Sequence, residues 1–341
     1  MDPLLQASHI SVGYRNNIGI NLLLEDISLE AEKGELIALS GLNGTGKSSL
    51  LKSILLLEQL LEGDIYLSGK RISGFSATEL ARIISFVSTD LSGSLNIRVS
   101  ELVSLGRFPY TNIFGRLNRE DQEKTGMAIH KMKLEKLADR KISEISDGEK
   151  QRTMIARAIA QDTDLILLDE PTAFLDIPNK YEILGHLHSL CSEGKTIIFS
   201  THDIQLASRF ADRIWLIDEK KLVKGSPEDL VLSGMIHKAF ASEKLEFDYT
   251  NGDFKPYYPR TRSISMEYNR ELRNAAIWTE RALNRIGYMR DKRPGKGVPH
   301  LLITQENEEI IWKLQFDNQN LLYKNLLGLV NYLKIKNYEF S

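Results

Sequence analysis

Apolar positions along the chain follow two rhythms. Leu36-Ile37-Ala38-Leu39, Leu165-Ile166-Leu167-Leu168 and Thr196-Ile197-Ile198-Phe199 are short runs with almost no polar interruption, the pattern of strands buried on both faces. Residues 49–60 and 180–191 instead repeat their apolar positions at helical spacing. Such strands separated by helices predict an α/β fold with a parallel sheet covered on both sides. Around residues 4–11, 22–29 and 65–67 the pattern loosens to alternation and predicts an antiparallel β patch. Residues 90–145 are mostly polar, carry no strong strand and read as an inserted helical subdomain.

Turn-forming residues crowd at Asn251-Gly252 and Pro256-Tyr257-Tyr258-Pro259, which predicts a linker. Beyond it, Leu272, Ala276, Thr279, Leu283 and Ile286 share one helical face, and Leu322, Leu326, Leu329 and Leu333 share another. Between these, residues 301–304 and 310–316 flank a turn at Gln305-Glu306-Asn307 and read as a hairpin. The expected division is therefore a large domain over residues 1–260 and a small helix–hairpin–helix domain over 261–341.

Composition narrows the function classes. With 341 residues, 42 % hydrophobic and 26 % charged, the chain is typical of a folded globular protein of about two domains. The 44 Lys and Arg nearly balance the 46 Asp and Glu, which leaves no broad basic field for nucleic acid. One cysteine, Cys191, forms no internal disulfide, and Met1-Asp2-Pro3 lacks the basic-then-apolar start of a signal peptide, so the expected location is the cytoplasm. The densest early apolar stretch, residues 50–61, is broken by Lys52, Ser53, Glu58 and Gln59; no membrane span is expected.

The strongest chemistry lies between the first buried strand and the helix after it. Gly41-Leu42-Asn43-Gly44-Thr45-Gly46-Lys47-Ser48 has the spacing of a phosphate-binding loop in its required strand–loop–helix setting. Glycines let backbone N–H groups wrap a phosphate chain, and the helix start at Lys47-Ser48-Ser49 adds partial positive charge. The Lys47 ammonium is expected on the β- and γ-phosphates of a nucleotide, and the Ser48 hydroxyl on Mg²⁺. Residues 165–168 then deliver Asp169 and Glu170 to the carboxyl edge of the sheet, where open α/β folds bind ligands. Asp169 is expected to hold Mg²⁺, and Glu170 to position the attacking water.

With these residues in place the chain resembles an ATP-binding cassette ATPase over about residues 1–260. Ile145-Ser146-Asp147-Gly148-Glu149 stands in the place of the family's signature sequence, followed by Lys150-Gln151-Arg152. Thr201-His202-Asp203 looks like the loop whose histidine contacts the γ-phosphate and the catalytic carboxylate. Ala173-Phe174-Leu175-Asp176 resembles the loop that crosses to the partner subunit, and Tyr14 sits where the family stacks an aromatic on adenine. The resemblance implies two ATP molecules sandwiched head-to-tail in a homodimer, each signature segment (Ser146, Asp147, Gly148, Glu149) capping the phosphate held by the opposite loop.

Two positions depart from the family pattern. The glutamine that normally reaches Mg²⁺ and the attacking water is replaced by Thr89, a shorter side chain; loss of a hydrogen bond to a charged group costs roughly 1.5–3 kcal/mol. Asp147 replaces a signature glycine, and a carboxylate about 4 Å from a phosphate would repel it by roughly 4 kcal/mol. Asp147 is therefore expected to turn away or pair with a neighbouring Lys or Arg. Lys47, Asp169, Glu170 and His202 all remain, which predicts an active ATPase.

The segment from Val99 to Tyr110, with Phe114-Gly115-Arg116-Leu117 after it, resembles the ATPase subunits of importers for ferric siderophores, haem and cobalamin. That resemblance implies a separate membrane permease as partner, a substrate-binding protein acting indirectly, and a peripheral position on the inner face of the cell membrane. Val99, Leu102, Val103 and Leu105 also suit simple packing of a helix. Two alternatives stay open from sequence: a soluble cassette ATPase switch on nucleic acid or ribosomes, and a non-hydrolysing module that uses ATP only to dimerise. The tail adds a basic cluster of Arg285, Arg290, Lys292, Arg293 and Lys296, a solvated loop or a surface for lipid headgroups or an acidic partner.

Overall fold

The computed structural model describes residues 3–16, 19–88, 96–111, 115–249, 251–291, 297–316 and 319–339. They divide into two compact units, Met1–Ala241 with Phe247–Asp253, and Ser242–Glu246 with Phe254–Ser341.

The first unit begins with the long antiparallel pair β1 (Leu5–Asn16) and β2 (Gly19–Ala31), then β3 (Leu36–Ser40), which feeds α1 (Lys47–Ile54). β4 (Glu62–Leu67) and the short β5 (Lys70–Arg71) return to β1, giving a four-stranded sheet of order β2-β1-β4-β5. After α2 (Ala77–Ala81) and β6 (Ile84–Val87) come the helices α3 (Val99–Ser104), α4 (Arg119–Lys131) and α5 (Asp147–Ala160). β7 (Leu165–Leu168), α6 (Ile177–Ser192), β8 (Thr196–Thr201), α7 (Ile204–Phe210), β9 (Arg213–Asp218) and β10 (Lys221–Gly225) follow, and α8 (Pro227–Leu232) and α9 (Met235–Ala239) close the unit.

The main sheet has the order β10-β9-β3-β8-β7-β6, parallel except for β10. Every residue of β3, β7 and β8 is buried, as unbroken apolar runs at the centre of a parallel sheet should be. Between this sheet and the antiparallel one lies a core that includes Ile37 and Leu39 of β3, Leu50 and Ile54 of α1, and the fully buried Trp215 of β9.

The helix after the phosphate loop stops earlier than its apolar spacing predicts. It ends at Ile54, not near residue 60, because Leu56 adopts φ +58° and the amides of Leu57 and Glu58 both fold back to the Lys52 carbonyl. This tight turn sends the chain into β4.

Of residues 90–145, expected as a helical subdomain, the described ones carry α3, α4 and 3₁₀ segments, joined by irregular backbone and an isolated bridge between Arg98 and Lys141. A 3₁₀ segment, Leu105–Tyr110, continues α3 and packs beside α5. Its anchor is Arg107, whose Nε donates to Asp121 at 2.9 Å and whose Nη1 donates to the Ala160 carbonyl at 2.9 Å, with the guanidinium 3.9 Å from the centre of the Tyr110 ring. Arg82 clamps the same segment by donating to the Pro109 carbonyl.

The chain leaves the first unit through a hairpin of β11 (Leu245–Asp248) and β12 (Asp253–Pro256). The second unit then runs β13 (Arg262–Tyr268), α10 (Arg273–Asn284), β14 (Tyr288–Asp291), β15 (His300–Glu306), β16 (Glu309–Phe316), β17 (Gln319–Tyr323) and α11 (Leu326–Glu339). Its sheet has the order β14-β13-β15-β16-β17. The predicted helix–hairpin–helix is thus corrected to a five-stranded sheet with two helices. β14 and β17 are short and half exposed, and β13 spends its apolar residues on one face only, so neither length nor unbroken apolarity marked them. Leu322, assigned to the last helix from its spacing, lies in β17 and is 54 % exposed. The hairpin turn falls at Asn307 and Glu308, both at positive φ, as a two-residue turn between right-twisted strands requires. Ile264, Met266, Leu301, Ile303, Trp312 and Leu314 of the sheet pack on Leu272, Ala276, Leu283, Leu329 and Leu333 of the helices, a core of its own.

Candidate functional site

Loop 41–46 takes its shape from backbone conformations that only glycine adopts freely. Gly44 and Gly46 have φ of +79° and +102°. A Cβ on Gly41 would lie 3.0 Å from the Ile217 carbonyl and 3.1 Å from the Thr45 hydroxyl, so the loop also needs glycine there for space. Thr45 Oγ1 donates to the Leu42 carbonyl and braces the turn, while the side chains of Leu42 and Asn43 face solvent. Gly46 caps α1 with no side chain, and its carbonyl accepts from the Leu50 amide; Lys47, Ser48 and Ser49 form the first turn.

Lys47 is buried, and its ammonium donates to the carbonyls of Gly41 and Leu42, both at 2.9 Å. Burial pulls its pKa below the usual lysine value, and the nearby charges of Glu170 and Asp169 partly offset that. The cation is thus held at the centre of the loop with carboxylates at the adjoining strand end.

Those carboxylates come from β7, whose edge residue Asp169 donates its amide to the Val87 carbonyl of β6. Asp169 Oδ1 accepts from Ser48 Oγ at 3.0 Å and from Ser200 Oγ at 2.6 Å. The Ser200 hydroxyl in turn accepts from the Glu170 amide at 2.8 Å. Ser200, in the penultimate position of β8, therefore fixes both acidic residues that follow β7 to the neighbouring strand. Sequence reasoning gave it no role, because a serine closing an apolar run reads as an ordinary strand end; its full burial is the signal that marks it. Glu170 sits at φ +45°, a left-handed conformation unusual for a residue with a Cβ, and this turns its side chain toward His202, whose Nδ1 is 3.4 Å from Glu170 Oε2. Lys47, Ser48, Asp169, Glu170 and His202, read from separate stretches of sequence, are thereby gathered at the carboxyl ends of β3, β7 and β8.

The remaining predicted residues sit in local arrangements, with no hydrogen bond or ion pair among the described residues to this cluster. Ser146 caps α5: its hydroxyl accepts from the Glu149 amide, and Glu149 Oε2 accepts from the Ser146 amide and hydroxyl at 2.8 Å. These bonds hold the Glu149 carboxyl below the usual carboxylate range. Asp147 pairs with Lys150 at 2.9 Å, one turn along. Gly148 lies where a Cβ would press on Asn179 at 3.1 Å. Asp176 caps α6 by accepting from the Asn179 amide, and Phe174 before it is at φ +61° and almost wholly exposed. The Tyr14 hydroxyl accepts from Asn21 across the β1–β2 pair, and half of the residue faces solvent. Thr89 lies outside the described residues, as do Phe114, Lys292, Arg293 and Lys296.

The segment after Arg98 divides its apolar residues. Val99, Leu102 and Val103 are buried, but Leu105 is 53 % and Phe108 72 % exposed. Packing of a helix accounts for the first three and leaves the last two presented on the surface.

Among the described residues no three His, Cys, Asp or Glu side chains gather as a metal cage. Ser48 and Asp169 still suit one metal in particular. A hydroxyl and a carboxylate already within 3.0 Å of each other are hard oxygen donors, and Mg²⁺ takes one or two such protein ligands and completes its shell with phosphates and water.

Residues 24–173 match the family model described as ABC transporter, and residues 273–334 match that of the iron ABC transporter C-terminal domain. A siderophore transport system ATP-binding protein of Bacillus subtilis, described as probable, is 35 % identical over 234 residues, 68 % of this chain and 84 % of that protein. The iron(3+)-hydroxamate import ATP-binding protein of the same organism is 34 % identical over 69 % of this chain and 87 % of its own length. The ferric enterobactin transport ATP-binding protein of Escherichia coli is 33 % identical over 72 % and 89 %. Among solved structures, the dimeric bacterial ABC transporter cassette MJ0796 superposes with a TM-score of 0.58 at 28 % identity, over 65 % of this chain and 98 % of that one.

Proposed function

The chain belongs to the ABC transporter family of ATP-hydrolysing subunits, and on that premise we propose that it energises import of an iron-siderophore, haem or cobalamin-type cargo through a separate membrane permease. The observation that carries the reading is the gathering of Lys47, Ser48, Asp169, Glu170 and His202 at one sheet edge, with Asp169 and Glu170 fastened by the Ser200 hydroxyl.

In the proposed reaction ATP lies along loop 41–46, its phosphates wrapped by backbone N–H groups and neutralised by Lys47. Tyr14 stacks on the adenine from its exposed position on β1. Ser48 and Asp169 would hold Mg²⁺, with Thr89 as the further candidate ligand; when bound, the ion would neutralise charge building on the phosphate oxygens. Glu170 accepts a hydrogen bond from the attacking water and takes its proton as the water oxygen bonds to the γ-phosphorus. The bond to the ADP oxygen breaks, and ADP and inorganic phosphate form. His202 donates to the γ-phosphate and keeps Glu170 in line. A second copy caps each nucleotide with its Ser146 and its Gly148 backbone, at the start of the helix that Glu149 helps to cap, and Asp176 lies in the loop that crosses between the copies. Pairing of Asp147 with Lys150 removes the repulsion that an unpaired carboxylate would exert on that phosphate.

Support for import rests on the relatives' descriptions, on the C-terminal domain match and on the exposed Leu105 and Phe108 beside the Arg107 anchor. We assign this pair to the permease-facing surface. No helix among the described residues is long and apolar enough to cross a membrane. The family works as paired ATPase subunits with membrane components, and a homodimer is the form proposed here.

The test is co-expression with candidate importer permeases from the same organism, purification of any complex in detergent and measurement of ATP hydrolysis. We expect retention on the permease, loss of retention in Leu105→Asp/Phe108→Asp, and loss of at least about a hundredfold in turnover in Glu170→Gln. Undiminished hydrolysis in Glu170→Gln overturns the site; failure of the wild type to bind any permease overturns the import reading.

A further inference from the structure

β14, β13 and β15 of the second unit run parallel. The chain leaves β13 through α10 to reach β14 on one side, then passes to β15 on the other. Strand order reverses at β13, and outside the carboxyl end of a strand at such a reversal two connections part and leave a crevice. A pocket of about 430 Å³ occupies that place, lined by Met266, Glu267, Tyr268, Arg270, Arg273 and Arg290.

Half of the lining is arginine. The Arg290 guanidinium is fixed: it lies 5.2 Å from the centre of the Tyr268 ring and donates to the Met266 carbonyl at 3.3 Å. The side chains of Arg270 and Arg273 are exposed and have no hydrogen-bond or ion-pair partner among the described residues. The one carboxylate in the lining forms no ion pair with either among the described residues. Glu267 alternates with Met266 onto the opposite face of the sheet, where its Oε2 stands 3.7 Å from His300 Nε2. α10 is entered through the 3₁₀ turn Arg270–Leu272, whose carbonyl at Arg270 already accepts from the Arg273 amide, so the donors at this end are the guanidinium groups.

We propose that this pocket binds a phosphomonoester at a site separate from the ATP site. The chemistry selects that class. A phosphomonoester carries between about −1.5 and −2 charges near neutral pH and three acceptor oxygens, which three guanidinium forks can meet in parallel pairs. A singly charged carboxylate or phosphodiester would leave two of the three cations unmatched. The group could belong to a small metabolite or to a lipid headgroup; the recognition is the same, and it does not depend on the transport reading.

The full chain carrying Lys47→Ala, which silences the ATP loop, is titrated with glycerol 3-phosphate by calorimetry and sedimented with vesicles containing phosphatidic acid. We expect saturable binding to one or both probes, weakened about tenfold or more in Arg270→Ala/Arg273→Ala, with Arg290→Lys retaining charge but losing affinity. Binding to the soluble ester assigns a metabolite, and binding only to phosphatidic acid vesicles assigns a lipid. The proposal is overturned by absence of binding to both, by affinity unchanged in the arginine variants, or by equal sedimentation with phosphatidylserine vesicles, which lack a monoester. Circular dichroism of each variant separates lost binding from lost folding, since Arg270 and Arg273 are exposed and lie outside the core of the unit.

Discussion

Ser200 brings no charge to the site, yet its hydroxyl donates to Asp169 and accepts from the Glu170 backbone. Replacing it with alanine leaves one buried carboxylate oxygen with a single partner and frees the strained Glu170 backbone. We expect Ser200→Ala to lower turnover about tenfold or more with a smaller change in the KM for ATP, and Ser200→Thr to restore most of it; steady-state kinetics decides. Lys47 and the glycines were legible in the sequence because the chemistry of phosphate binding demands those residue types at fixed spacing. Ser200 was not, because its role arises only from the pairing of β7 with β8. Cys191 behaves differently again. Burial pushes its thiol from an ordinary value near 9 up to about 12, so above about pH 9 the unfolded chain loses a proton that the folded chain keeps. Native stability is therefore expected to fall as pH rises from about 9 toward 12, measurable as the urea midpoint in the wild type against Cys191→Ala, which lacks that component.

At the scale of elements, the contact of the 3₁₀ segment with α5 illustrates how closely backbones are made to approach. A Cβ on Gly106 would fall 2.1 Å from the Arg157 carbonyl, and Gly106→Ala must push the segment off α5. We expect a loss of stability and, with it, weaker permease retention even though Leu105 and Phe108 are intact. The anchor itself is an almost fully buried ion pair, Arg107 with Asp121. Removing one partner strands a charge, so Arg107→Ala should cost about 3–5 kcal/mol in a denaturant titration. At the start of α5 the reciprocal Ser146–Glu149 cap is exposed and smaller, and Ser146→Ala should cost about 1 kcal/mol. Element type was readable in β3, β7 and β8, which are buried on both faces, but β9 escaped notice although Ile214–Ile217 are buried in the same way. It failed in the tail, where β13 has one wet face and β14 and β17 are four and five residues long, too short for a periodicity to declare itself.

At the scale of the molecule, the two units keep separate hydrophobic clusters, and only the first holds the nucleotide residues. Calorimetry of the full chain is expected to show two unfolding transitions, with Mg-ATP raising the one that belongs to the first unit, by mass action on the folded state; a single transition moving as a whole would mean that the units unfold together. The chain's lone thiol gives such questions an optical answer. Because Cys191 is buried on α6, a cysteine placed at the exposed Phe174 would be the sole fast-reacting nucleophile on the surface. A fluorophore there would sit in the loop assigned to the crossing between copies, and energy transfer between two labelled copies would become a ruler for the opening and closing of the pair during turnover.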